Sequence, residues 1–323
     1  MLLRRHCLDI SFRLDQRSNE PNAMPTTAVE ICRFLNGTLV GADLQVSHVA
    51  SLGKPATGAV IFAKAFTPEV AGRLQEFKEL TVLVGRGSTT GPMPGLALIE
   101  VDQPRMDFAK VCWRFFVERA PARIAPTAII GRSAKIGLNV TIGEYCVVAD
   151  DVEIGDDTEL RHHVVVGNKV RIGKRCLVKS HAVVGEEGFG VGYDENGHTL
   201  RMPHFGGVLI EDDVEIGCNV TVCLGTLDPT IVRHRAKIDD HVHLGHNCDI
   251  GEDAIITACV CIGGSSKVGR QGYLGNNANL MNQKTMGDRA YAGLGANIVR
   301  SVESETVVAG NPAKPLRKRD GLN

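Results

Sequence analysis

Residues 130–160 read IGRSAKIGLNVTIGEYCVVADDVEIGDDTEL, and within them an aliphatic side chain returns every six positions: Ile130, Ile136, Ile142, Val148, Ile154, Leu160. Four residues after each anchor sits a small or β-branched residue: Ala134, Val140, Cys146, Val152, Thr158, Val164. The period extends both ways. It starts at Ile124, runs to Val184, and stops at EEGFGVGYDENGHTLRMPHFGG, residues 186–207. It resumes at Ile210, Ile216 and Val222, breaks briefly at LDPT, residues 227–230, and then runs from Val232 to Ile298. A period of six fits neither the 3.6 of a helix nor the simple alternation of an antiparallel strand. It is the hexapeptide signature of a parallel β-helix, in which each hexad is a short strand plus a corner. Anchors point inward and the small residues pack at the turns. Three hexads make one coil of triangular section, so the prism has roughly eight to nine coils, each rising about 4.8 Å.

Composition agrees with this reading. Among 323 residues, aromatics are only 5% while 36 are glycine, which suits a narrow interior filled by small aliphatic side chains. The net charge of -1 gives no argument for nucleic acid or an anionic membrane as partner. The ten cysteines show no CxxC spacing, and Cys146, Cys176 and Cys248 fall inside the repeat. They read as small buried thiols of a reducing cytoplasm, not as a disulfide framework. No apolar run is long enough for a transmembrane helix.

The segment ahead of the prism has a different pattern. Residues 1–23 lack the apolar centre of a signal peptide and read as a disordered extension. Residues 24–120 read as a small α/β domain. TTAVEICRFLNG is a short helix with a Thr27/Glu30 capping box and Gly37 as its stop. TPEVAGRLQEF and PRMDFAKVCWRFFVER read as further helices, and VSHVASL, AVIFAK, LTVLVG and LALIEV as strands. The prism domain covers 121–303 and a short tail 304–323. Lys284 stands out because it occupies a small inward position of its hexad; either the coil bulges there or the side chain reaches solvent.

HVHLGHNCDIG, residues 241–251, holds three histidines. His246 is third in its hexad and faces outward near a corner. One coil of 18 residues further lies Gly264, and another coil further Asn282. Histidine is the usual proton acceptor near neutral pH, and a bare glycine N–H can face a developing oxyanion. His241 and His243 fall on a different face. Their bland reading, like that of His246, is solvated histidine on a prism surface. A metal site is not expected: in the γ-class carbonic anhydrases, which share the prism, GHN is followed five residues later by a second histidine, and Gly251 stands there in this chain.

Taken together, the motifs resemble those of the UDP-3-O-acylglucosamine N-acyltransferases of lipid A biosynthesis. Residues 183–217, VVGEEGFGVGYDENGHTLRMPHFGGVLIEDDVEIG, are similar to that family's long loop and return strand, and 237–251, KIDDHVHLGHNCDIG, to the stretch bearing its catalytic histidine. The leading α/β domain matches the family's order, and the likeness spans roughly residues 24–300. The resemblance implies a left-handed β-helix and transfer of a (3-hydroxy)acyl group from a thioester to the sugar 2-amine. His246 would be the general base and the Gly264 N–H the oxyanion donor, with Asp239 or Asp240 orienting the imidazole. It implies a cytoplasmic homotrimer with shared grooves, which would bring His241 or His243 of one chain near His246 of another. Gly188, Phe189 and Gly190 would shape the acceptor or acyl site beside Asn282 and Gln283, and Phe62 and Phe66 would meet the nucleotide base. No cofactor is implied, only an acyl carrier protein or coenzyme A thioester as co-substrate.

The departures from the family matter as much. Cys223-Leu224 stands where the family has an Asp-Arg pair, Gln283 where a second histidine follows, and Ala65 where an asparagine sits near the uracil. The family's C-terminal helices are missing, and GNPAKPLR resembles the closing motif of hexapeptide acetyltransferases that use coenzyme A. Arg317, Lys318 and Arg319 would then meet either a carrier protein or coenzyme A phosphates. Two rivals follow: a diverged relative acylating another nucleotide-linked amino sugar from acyl-CoA, and a trimeric prism that binds without catalysing.

Overall fold

The computed structural model describes residues 26–118 and 120–321; the extension expected over residues 1–23 lies outside the described residues. The chain divides into two compact units at Ala120/Pro121.

The first unit is a five-stranded sheet with helices on both faces. Its strands run in the order Thr38–Gly41, Leu96–Val101, Leu80–Gly85, Ala59–Phe62, His48–Val49. The first pair is antiparallel and the rest parallel. Helix α1 (Ala28–Leu35) begins with the expected capping box, Thr27 and Glu30 each accepting from the other's backbone. It ends one residue before the expected stop, with Asn36 left-handed at φ 51°. Gly37 serves another purpose: a Cβ there would lie 2.9 Å from Ile99 Cγ2 and 3.0 Å from Glu100 O, so only glycine lets the strand Thr38–Gly41 close onto the sheet. That strand, TLVG, was not foreseen, because four residues without apolar alternation carry no strand period. One core joins Ile31 of α1 to Leu83, Ile99 and Val111. The opposite face packs Ile61, Val82 and Leu98 against Leu74 of helix α2 (Pro68–Leu74).

The second unit is the prism. Its strands stack into three sheets of ten, nine and eight members, parallel throughout except for the last strand of the ten. Anchors sit above anchors: Leu244 pairs with Ile262, Ile262 with Leu280, and Leu280 with Ile298. Anchors from Ile142 onward are buried and form one continuous core with the small corner residues. Ile124, the first of the series, is 49% exposed and forms only an isolated bridge with Ile142, since no coil lies below it. At the corners, non-glycine residues adopt positive φ, Asn139, His241, Asn247 and Gln283 among them. Lys284 does not bulge its coil, because Lys267 pairs with Thr285 and Val268 with Met286 in unbroken register; its side chain is only half-buried.

The stacking step is 18 positions in an ordinary coil, 38 across the first interruption and 22 across the second. Both inserts leave the prism and return to it; at their root the ladder bulges between Val184 and Glu186, so that Glu186 pairs with Cys223. The first carries a small antiparallel hairpin, Val191–Tyr193 with Thr199–Arg201. The tail closes the prism: Thr306–Ala309 continues the ten-stranded sheet and Lys314–Lys318 returns antiparallel to it. Buried thiols fill the core at Cys146, Cys176 and Cys248, but Cys259 and Cys261 are exposed, because a corner position and an outward strand position turn their side chains away from the axis. No described helix is long and apolar enough to cross a membrane.

Candidate active site

Both interruptions converge on His246. From the second come Thr226 and Asp228, which hold Asn247 beside it. The Asn247 side chain accepts from the Thr226 backbone N–H through Oδ1 at 3.0 Å and donates from Nδ2 to the Asp228 carbonyl at 2.7 Å. An N–H needs an acceptor and a carbonyl a donor, so these two bonds fix which amide atom is which. Oδ1 then lies 3.0 Å from His246 Nδ1 and can only accept, so Nδ1 carries the proton. Nε2 is left with the lone pair, the form a base needs. Thr226 Oγ1 lies 3.4 Å from the same Nδ1. Asn247 is itself anchored at its left-handed corner, φ 59°, by donation from its backbone to Thr230 Oγ1 at 2.8 Å. Asparagine tolerates that conformation better than most residues.

Nε2 faces Gly264. A Cβ added at Gly264 would stand 2.7 Å from His246 Cε1, 2.8 Å from Cδ2 and closer still to Nε2, so the imidazole occupies the space a side chain would take. The Gly264 amide is also uncommitted. At the same hexad position elsewhere, the amides of Leu138, Lys174, Cys218 and Arg270 donate to Asp156, Asp212, Asp240 and Asp288 of the next coil. The next coil brings Asn282 to Gly264, and the Gly264 N–H makes no hydrogen bond among the described residues. A half-buried imidazole with a free Nε2 can accept a proton, and a free amide beside it can donate to a developing oxyanion.

From the first interruption, Gly188 packs against both His204 and His246. A Cβ there would lie 2.9 Å from His204 Nε2 and 3.0 Å from His246 Cβ. Gly190 lies against His204 Cε1, at 3.3 Å by the same measure, while Phe189 between them is 89% exposed.

The other expected residues fall as follows. Asp240 caps the Cys218 amide and Asp239 is exposed; neither bonds to His246, and the orienting partner within the chain is Asn247. His241 sits on a corner. His243 lies on an outward strand face, 2.7 Å from Thr221 Oγ1, and partial desolvation lowers its pKa from histidine's usual value. Gln283 is an exposed corner residue. Cys223 is buried, which pushes its thiol pKa up. Phe62 and Phe66 belong to the first unit, Phe62 tilted against Phe108 at 5.1 Å on one core and Phe66 packed on the other. Of the basic tail, Arg319 is already occupied: its guanidinium lies over the Tyr291 ring at 5.4 Å and donates to the carbonyls of Gln271 and Arg289. No cluster of three or more histidine, cysteine, aspartate or glutamate side chains able to hold a metal exists among the described residues.

Sequence reasoning missed Asn247, Thr226, Asp228 and His204. For Thr226, Asp228 and His204 the signal was the interruption itself, since an insert in a solenoid returns to the ladder at the site it decorates; Asn247 sits in a regular hexad next to His246.

Comparison with known proteins places the chain among hexapeptide acyltransferases. Residues 133–168 match the bacterial transferase hexapeptide (six repeats) model. The chain is 35% identical over 286 residues to the UDP-3-O-acylglucosamine N-acyltransferase of Delftia acidovorans, covering 87% of this chain and 84% of that one. It is 33% identical over 301 residues to the enzyme of that name in Campylobacter lari, covering 88% and 92%. Among solved structures, the UDP-N-acetylglucosamine O-acyltransferase of Moraxella catarrhalis aligns with TM-score 0.56 and 27% identity over 60% of this chain and 74% of that one. The UDP-N-acetylglucosamine acyltransferase of Francisella novicida gives 0.56 and 26% over 61% and 70%.

Proposed function

The chain belongs to the UDP-3-O-acylglucosamine N-acyltransferase family, and from that premise we propose that it acylates the 2-amine of UDP-3-O-acylglucosamine, using His246 as base. It is an acyltransferase of lipid A biosynthesis. In the proposed step the amine nitrogen attacks the thioester carbonyl carbon. The carbonyl π electrons move to oxygen, and the Gly264 N–H stabilises that oxyanion. Nε2 of His246 takes the proton from nitrogen, while Asn247 Oδ1 holds the Nδ1–H and so supports the imidazolium. Collapse of the tetrahedral intermediate expels the thiolate, which recovers the proton from His246 and leaves amide and thiol. The transfer needs no cofactor beyond the thioester.

The observation that carries the reading is the fixed tautomer: two backbone groups orient Asn247, and Asn247 leaves the lone pair of His246 on the side of Gly264. We assign nucleotide-sugar binding to the first unit and transfer to the prism. The working assembly is a cytoplasmic homotrimer, which places His241, His243, Asn282 and Gln283 at grooves between chains.

A second reading differs in the donor. The GNPAKPLR turn leads into the antiparallel return strand, and with Arg319 engaged on Tyr291 the exposed cations of the described tail are Lys314, Arg317 and Lys318. These features favour acyl-CoA as an alternative to acyl carrier protein. The test offers UDP-3-O-acylglucosamine and other nucleotide-linked amino sugars to purified protein, each with 3-hydroxyacyl carrier protein and with acyl-CoA. The lipid A precursor should turn over fastest. If it is inert while another amino sugar reacts, the chain acts on that sugar; if nothing reacts, it binds without catalysing.

A further inference from the structure

His204 has no part in the step above, yet its surroundings are those of a functional residue. It leaves the first interruption just before the chain rejoins the prism. Its side chain is buried, with 6% exposure, and neither Nδ1 nor Nε2 has a hydrogen-bond partner among the described residues. A buried ring nitrogen without a partner is costly, and fully buried polar groups are nearly always paired. The ring stands edge-on to His246, centroids 5.4 Å apart at 70°. Gly188 lies against His204 Nε2 and His246 Cβ, and Gly190 against His204 Cε1, so both glycines of the GFG loop leave room for this imidazole. The arrangement is a polar group held dry beside the base, at the cost of its own hydrogen bonds.

We infer that His204 is a specificity-determining residue that hydrogen-bonds the 3-O-acyl ester of the acceptor sugar. This rests on the functional reading above. If the 2-amine meets His246 Nε2, the substituent on the adjacent ring carbon lies next to it, and the His204 ring is only 5.4 Å from that of His246, centroid to centroid. In UDP-3-O-acylglucosamine that substituent is an ester, whose oxygens accept and do not donate. An imidazole N–H supplies the missing donor, and the ester satisfies a buried nitrogen that the protein leaves open. The sugar diphosphate is a poorer fit, because an anion calls for a cation, and the neighbouring Lys169 is turned to the ring and carbonyl of Phe205. Exposed Met202 and Phe205 flank His204 in the chain, an apolar setting suited to the start of an acyl chain.

The experiment compares two acceptors, UDP-3-O-acylglucosamine and UDP-glucosamine with its free 3-hydroxyl, in wild type, His204→Phe and His204→Gln. Both kcat/KM and equilibrium binding of each acceptor are measured. His204→Phe should lower kcat/KM and affinity for the 3-O-acylated acceptor about tenfold, the effect of one lost hydrogen bond with an unpaired partner, and change UDP-glucosamine less than twofold. His204→Gln, which keeps an N–H donor, should restore most of the loss. His204→Phe should melt no lower than wild type, since it removes two orphaned nitrogens. Equal losses on both acceptors would make His204 a support for His246 and overturn the inference, as would no loss on either. Wild-type protein that neither binds nor acylates the two sugars would overturn the functional reading, and this inference with it.

Discussion

Replacing Gly264 by alanine should disable the site without unfolding the protein. The new methyl carbon would stand 2.7–2.8 Å from two imidazole carbons of His246, whereas ordinary contact begins near 3.4 Å. The ring must retreat by roughly 1 Å, and misplacement of that size costs about a hundredfold in rate. Retreat also stretches the 3.0 Å bond from Nδ1 to Asn247, which fixes the tautomer. A fall in kcat/KM of about a hundredfold corresponds to about 2.7 kcal/mol of transition-state stabilisation. Folding should be spared for two reasons. Gly264 is not among the glycines with positive φ, and the atoms in the way belong to a side chain that can move. Alanine also lowers the entropy of the unfolded chain, by about 0.4–1 kcal/mol in favour of folding. The assay is steady-state acyl transfer beside a thermal melt, with His246→Ala and the double variant completing a cycle. The double variant should be no slower than His246→Ala alone, because the methyl acts by displacing a ring that is no longer there. Activity of Gly264→Ala within threefold of wild type would refute the reasoning, and so would a double variant whose losses multiply.

Three further outcomes are expected. Asn247→Gly keeps the left-handed corner but removes the acceptor of Nδ1, and should lower kcat about ten- to a hundredfold with little change in KM; unchanged kcat would move the orienting role to another residue. Burial pushes the thiols of Cys176 to about 11 and Cys248 to about 12, above the usual 9.0, so an alkylating reagent at pH 8 should label exposed Cys259 and spare both until the chain unfolds. Because the unfolded chain loses those protons first, stability should fall as pH rises above about 9. Sedimentation of dilute protein should give three times the chain mass, and a monomer would end the proposal of grooves shared between chains.

The prism was readable in the sequence because its period is enforced at every coil: an anchor moved by one position would point outward, so the pattern admits few exceptions. Ile124 failed where the enforcement ends, at the edge with no coil below. The strand Thr38–Gly41 was missed because its place depends on Gly37 fitting against Ile99, a contact far away in sequence. In the site, His246 and Gly264 were legible because the ladder converts a spacing of 18 residues into adjacency. Asp239 and Asp240 were credible partners by sequence proximity, but hexad phase turns them to another corner. Asn247 and His204 are held by inserts, where the period that made the rest readable is suspended. Their neighbours, Thr226, Asp228 and Gly188, are set by loop paths that no repeat encodes.

The central claim is that Nε2 of His246 removes the proton from an amine attacking a thioester. Its most direct test is the turnover number of His246→Ala on UDP-3-O-acylglucosamine at saturating donor, measured beside wild type. The imidazole is half-buried on the outside of the prism, so its loss opens no core cavity and the variant should melt as wild type does. The account predicts that kcat falls by about two to four orders of magnitude while the acceptor still binds. A folded His246→Ala protein that turns over within threefold of wild type would contradict it.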